Sequence, residues 1–223
     1  MQKNRMIRRS SSLPPRPSLR FSPFAWAKLL YLRDRGETEI GGFGLSAEDD
    51  PLLVVDILTV KQRCTPITVA FDDGAVADLV DELVDQGIPP ERFSRLWLQT
   101  HPGGCPLPSS TDEATFRRVF GRTDWAVRGI VARSDASYAR LSFHTGPGGA
   151  LKIPVRIDYG RPFDGADWEA WEQEYVDHVI AEQLLPPIKA PGATEPGLVS
   201  DFHADLWNWE EDYYDGTPRA RPF

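Results

Sequence analysis

A mixed fold, α/β or α+β on a single sheet, is what this sequence predicts, and three observations predict it. Short apolar, β-branched runs recur along the chain. Helical segments with legible start and stop signals stand between them. A basic segment at one end and an acidic, aromatic segment at the other flank this interleaved core.

The elements follow in order. Ser22-Pro23 reads as a helix start, serine as cap and proline at the first helical position, with a helix over residues 24–33 stopped by Gly36. Residues 37–45 hold Ile40 and Phe43 among glycines and read as a strand that neighbouring backbone approaches closely. Residues 52–60 and 67–71 are two further strands. Asp72-Asp73 caps a helix to about Gln86, in which Val76, Leu79, Val80, Leu83 and Val84 form one apolar stripe; Gly87 and Pro89-Pro90 end it. Leu96-Trp97-Leu98 is a buried strand that runs on to His101, and a helix follows over residues 110–120. Strands are expected over 125–132, 138–144 and 151–158, with Gly146-Pro147-Gly148-Gly149 turning the last two. A final helix spans 167–185, with Trp168, Trp171 and Tyr175 at helical spacing as its packing face.

Length and charge set the outer bounds. At 223 residues and 41% hydrophobic content, the chain suits one well-buried domain with appendages. The expected divisions are a basic leader over 1–20, the domain over 21–185, a Pro/Gly linker over 186–197 and an acidic aromatic segment over 198–223. The leader carries Lys3, Arg5, Arg8, Arg9, Arg16 and Arg20 without an acid, and its serines and prolines favour a solvated segment. Residues 164–223 hold fourteen Asp and Glu against Lys189, Arg219 and Arg221, which argues against nucleic acid as the main partner because phosphates are repelled there. Trp207, Trp209, Tyr213 and Tyr214 in that acidic stretch suit docking on the domain itself or on a basic partner. No run reaches the length of a membrane span, and Cys64 and Cys105 are too few for a disulfide framework, so a cytoplasmic protein with free thiols is expected. Oligomeric state is not readable.

The chemistry concentrates at Gln99-Thr100-His101-Pro102 and the following Ser109-Ser110-Thr111-Asp112. Residues 99 and 101 of one strand point to the same side, about 6 to 7 Å apart along the chain, the spacing at which two strand side chains share a metal. His101 is the best ligand candidate and Asp112, from the start of the next helix, the second. The Ser109 hydroxyl suits a developing oxyanion, and Glu39 suits a general base. Ser109 and Asp112 also read simply as a capping box, and Glu39 as a plain strand residue.

Glu39-Ile40-Gly41-Gly42-Phe43-Gly44, together with Gln99-Thr100-His101-Pro102, six residues, Ser109, two residues and Asp112, resembles the JAMM/MPN (JAB) metallopeptidase family. That family's motif is a strand glutamate, then His-x-His-Pro, six residues, Ser, two residues, Asp. The resemblance covers roughly residues 21–160. It implies a curved mixed β-sheet flanked by helices and cleavage of peptide or isopeptide bonds at the tails of ubiquitin-like or sulfur-carrier-like proteins. It implies zinc held by residues 99, 101 and 112, Glu39 as the base and Ser109 at the oxyanion.

The departure is Gln99, where the family has its first histidine. A neutral amide oxygen is a poor match for zinc beside imidazole. Three arrangements are open: Gln99 ligates through its oxygen in a weakened peptidase, Cys105 or His144 substitutes, or the domain is a metal-free binding module. The expectation is a zinc-dependent metallopeptidase, with a catalytically inactive module that binds a ubiquitin-like protein or scaffolds an assembly as the alternative.

Overall fold

The computed structural model describes residues 16–183, and within them an eight-stranded mixed sheet and a three-stranded sheet are flanked by four helices. The chain begins with strand β1 (Leu19–Phe21) and helix α1 (Pro23–Arg35). Ser22 caps α1 by accepting from the Ala25 amide, with Pro23 at the first turn. Gly36 ends α1 in extended backbone; its lack of a side chain matters because a Cβ there would lie 2.6 Å from the Tyr175 hydroxyl.

Strands β2 (Ile40–Ser46) and β3 (Leu53–Leu58) form an antiparallel pair. Then come β4 (Gln62–Thr65), β5 (Thr68–Phe71) and helix α2 (Asp73–Asp85), capped by Asp72. After a short 3-10 turn at Pro90–Arg92, the chain builds β6 (Leu96–His101), α3 (Ser110–Phe120), β7 (Trp125–Ala132) and β8 (Ser137–Phe143). Strands β9 (Gly149–Lys152) and β10 (Val155–Ile157), helix α4 (Trp168–His178) and strand β11 (Val179–Ala181) complete it.

The large sheet runs β10-β1-β3-β2-β6-β7-β8-β9 and the small one β11-β4-β5. The large sheet curls, because its two edge strands are neighbours in sequence. Residues 151–158, expected as one strand, are two: Ile153 donates to Ala139 beside β8, and Pro154 accepts from Leu19 of β1. Proline cannot donate to a ladder, and the chain changes edges there. The curl brings Leu19 against Gly129 of β7, where an added Cβ would stand 2.8 Å from the leucine. The main core fills the inside of the curl with Leu19, Phe21, Ile40, Ile57, Leu96, Leu98 and Val127, closed by Ala25, Leu29 and Leu32 of α1.

Other expectations are corrected. Leu19 and Arg20, assigned to the leader, are strand residues: Leu19 pairs with β10, and Arg20 with both β10 and β3. The last helix ends at His178, and Val179–Ala181 pairs in parallel with β4, a strand the sequence did not reveal. Its Trp171 is buried whereas Trp168 is exposed, although the two rings touch Tyr31 together. Only Leu83 of the α2 stripe is buried, and Val84 is exposed. The linker, the acidic aromatic segment and residues 1–15 lie outside the described residues. No helix of the described residues is long and apolar enough to cross a membrane.

Buried polar groups tie α4 to the sheet. Lys28 of α1 is nearly buried between Asp56 of β3 and Glu174 of α4, and Glu174 also accepts from the Thr59 amide and hydroxyl. Trp171 adds the apolar half of that anchorage. Truncating it to alanine is expected to cost about 3–5 kcal/mol and to lower the urea midpoint in one cooperative transition. A separate early transition confined to α4 would show that this helix is not part of the same folding unit.

Candidate functional site

Strand β6 is buried along its whole length, and its alternation divides two environments. Leu96 and Leu98 face the curl's interior. Trp97, Gln99 and His101 face the other side, where α3 packs through Phe116 and Phe120 around the Trp97 ring. Antiparallel pairing sets Gly41 of β2 opposite Gln99, which brings Glu39, two residues earlier, beside His101 on the same face. Among the described residues Glu39, Gln99, His101 and Asp112 therefore meet, as the motif requires, and all four are at least nine-tenths buried.

Their contacts decide what the cluster can do. The Gln99 amide nitrogen donates to Asp112 Oδ1 at 3.1 Å. Asp112 Oδ2 accepts from both the Ser109 amide, 2.7 Å, and the Ser109 hydroxyl, 2.8 Å. The Asp112 carboxylate thus takes two hydrogen bonds on Oδ2 and one on Oδ1. The Ser109 hydroxyl in turn lies 3.2 Å from the Asp112 amide, completing a capping box at the start of α3. Ser109, expected to serve an oxyanion, is committed to the helix start.

His101 Nδ1 lies 2.9 Å from the Cys105 carbonyl. A carbonyl can only accept, so Nδ1 carries a proton, and in the neutral ring Nε2 is the lone-pair atom. That lone pair faces Glu39 Oε1 at 3.4 Å, beyond good hydrogen-bond distance. Three buried atoms of the cluster have no hydrogen-bond partner: Glu39 Oε2, Gln99 Oε1 and His101 Nε2. Burial, and then the charge of Asp112, pushes the Glu39 carboxyl up to about 8.

The family's zinc does not fit this donor set. Its third ligand, Asp112, has both oxygens hydrogen-bonded, and the residue in the first histidine's place turns a donor NH2 toward that carboxylate. Among the described residues no group of three or more His, Cys, Asp and Glu is placed to hold a metal ion. The substitutes are also misplaced. Cys105 is exposed and joins the site only through its backbone carbonyl. His144 follows Phe143, which pairs with Trp125 at the start of β7, whereas His101 pairs with Ala132 at that strand's end. His144 is exposed there, with Nδ1 on the Thr123 carbonyl.

Sequence reasoning missed the groups that hold the site in place. Arg128 of β7 is fully buried, with its guanidinium 4.6 Å from the Phe116 ring centroid and 5.1 Å from that of Trp97. It donates to the Asp112 carbonyl and to Glu113, which also binds Arg140. The signal was a lone arginine inside Trp125–Ala132, an otherwise apolar strand, since a charge buried there demands an acid. Arg133 does the same for the other strand end: its amide donates to the carbonyls of His101 and Gly103. On the far side of β2, the Gln62 carboxamide bonds both the amide and the carbonyl of Gly41, which links the small sheet to the site strand.

Compared with known proteins, the chain matches no family model and no curated sequence. The resemblance therefore rests on residues 39–44 and 99–112 and on their convergence.

Glu39 gives the site a pH signature. Its folded-state pKa of about 8 lies above the ordinary value of 4.5, so between those two values the native state holds a proton that the unfolded chain has lost. Stability from this group is full below about pH 4.5, declines as pH rises toward about 8 and is then level. Urea midpoints from pH 5 to 9 in chelator-treated buffer are expected to fall for the wild type. Glu39→Gln should lack that portion of the slope, and identical slopes would refute the assignment. Ser109→Ala is expected to cost about 1 kcal/mol through the lost cap.

Proposed function

We propose that the chain is a catalytically silent MPN-like module that binds a ubiquitin-like protein through the surface around this cluster. The observation that carries the reading is the Gln99–Asp112 hydrogen bond. In the resembled family, a histidine and this aspartate both give lone pairs to one metal. Here residue 99 gives a proton to residue 112, so the two satisfy each other.

Two further features support silence. The Ser109 hydroxyl donates to Asp112 and has no second hydrogen for an oxyanion. Glu39, with its carboxyl pushed up to about 8, is largely protonated near neutral pH and is then no base for water. What supports descent from a hydrolase is the convergence itself: residues 39, 99, 101 and 112 come from three elements and meet on one sheet face. The curled sheet that carries them agrees with the resemblance.

Cleavage of a linear ubiquitin-like fusion protein tests this. The wild-type chain with added zinc is expected to show no cleavage above background while retaining the fusion on a pull-down. Gln99→His removes the donor, frees Asp112 Oδ1 and should confer chelator-sensitive cleavage. Adding Glu39→Gln to that variant should lower the gained rate by about 10² to 10⁴, the contribution of a positioned base. Chelator-sensitive cleavage by the wild type would overturn the proposal.

A further inference from the structure

Strand β9 closes one end of the large sheet, and among the described edge strands it is the one exposed at every residue. Its register shows which backbone groups face outward. The Ile153 amide donates to the Ala139 carbonyl, so along the β8–β9 ladder residues 149, 151 and 153 turn their amides and carbonyls toward β8. Ala150 and Lys152, at the alternate positions, turn theirs to the open edge. An edge of this kind is a template for another extended segment.

The two faces beside that edge differ in chemistry. Pairing across β7, β8 and β9 sets Arg128, Arg140 and Lys152 in one row on the α3 side. Like charges directly opposite each other in a sheet repel. Glu113 is shared by Arg128 and Arg140, whereas Lys152 lies 5.6 Å from the Tyr138 ring centroid and has no acid partner among the described residues. Arg117, one helical turn after Glu113, adds an exposed cation on the same side of α3. The opposite face is apolar. Leu141 belongs to the core there, and beside it Leu151 and Phe143 are 40% and 41% exposed.

We propose that β9 is the docking edge for an extended segment of a partner protein in which acidic and apolar residues alternate. Such a segment adds a strand to the eight of the sheet and bonds through its backbone to Ala150 and Lys152. Successive side chains then fall on opposite faces, the acids beside Lys152 and the apolar ones beside Leu151. The outward amides and carbonyls suit a polypeptide rather than a nucleic acid, and the chain's net charge of −8 disfavours phosphates as well. A lysine on an edge discourages neutral and basic strands and admits one that brings an acid. A second copy of Gly149–Lys152 brings none, so self-pairing is disfavoured. This edge lies beyond β7 and β8 from the buried cluster on β6, and the inference goes beyond the silent-module reading without depending on it.

The test is fluorescence anisotropy of the full chain with a labelled peptide of about eight residues that alternates glutamate with valine. Binding is expected, weakened by added salt and absent for a peptide that alternates lysine with valine. Three changes should each weaken it about fivefold or more. Lys152→Glu reverses the charge. Ala150→Pro removes an edge-facing N–H and leaves the bonds to β8 in place. Methylation of the peptide's backbone amides removes the same class of bond without touching the protein. Thermal transitions check that both variants fold, and the methylated peptide carries the edge test should Ala150→Pro not fold. Absence of binding by the alternating peptide overturns the proposal. Equal binding of a peptide with its glutamates and valines in separate blocks also overturns it, as does full binding of the methylated peptide, because either marks a merely electrostatic surface. Tighter, Lys152-dependent binding of a single-stranded oligonucleotide overturns it in favour of a nucleic acid.

Discussion

The register between β2 and β6 is the constraint from which the rest follows. With Gly41 opposite Gln99, the outward face of these two strands carries Glu39, Gln99 and His101, and the inward face carries Ile40, Leu96 and Leu98. A shift by one residue would send the polar set into the apolar interior of the curl and the leucines toward α3. Burial on both faces makes that shift very costly. The site is therefore held by the same hydrophobic free energy that holds the fold.

Helix α3 is positioned by a different kind of force. Its apolar contacts are few, Phe116 and Phe120 against Trp97, and its first turn is fixed by a buried cation. Arg128 stacks on two aromatic rings, binds the Asp112 carbonyl and pairs with Glu113. Removing one partner of such an arrangement leaves an uncompensated charge, which is far more disruptive than removing the whole set. The geometry of residues 109–112 thus depends on a strand that contributes no atom to the chemistry.

Much of this was legible in the sequence, and the failures share a cause. The caps at Ser22, Asp72 and Ser109 were readable because capping is a local interaction between residues three apart. The convergence of residues 39, 101 and 112 was expected from the resemblance, whose motif spacing residues 101, 109 and 112 match. Strands β1, β4 and β11 were obscured because each is three or four residues long and gains its stability from pairing with a distant segment. A run of that length has no periodicity to read. The end of α4 was missed for the same reason: Val179–Ala181 fits a helix locally and leaves it to pair with Gln62–Cys64 of β4 only in the folded chain. The incomplete burial of the α2 stripe is likewise a tertiary fact, since a repeat of apolar residues states what a helix could bury and not what covers it.

The meaning of Gln99 was the hardest to read, because its two ends do opposite things. From sequence, the residue enters as a missing imidazole or as a weak ligand through its amide oxygen. In the folded chain its NH2 meets Asp112 and its oxygen is left without a donor, so one side chain both satisfies the carboxylate and carries an unmatched buried acceptor of its own. A leucine at this position would have left Asp112 Oδ1 unpaired, and a glutamate would have set two carboxylates against each other. Glutamine is the side chain of similar length that neutralises the local demand of Asp112 without adding charge.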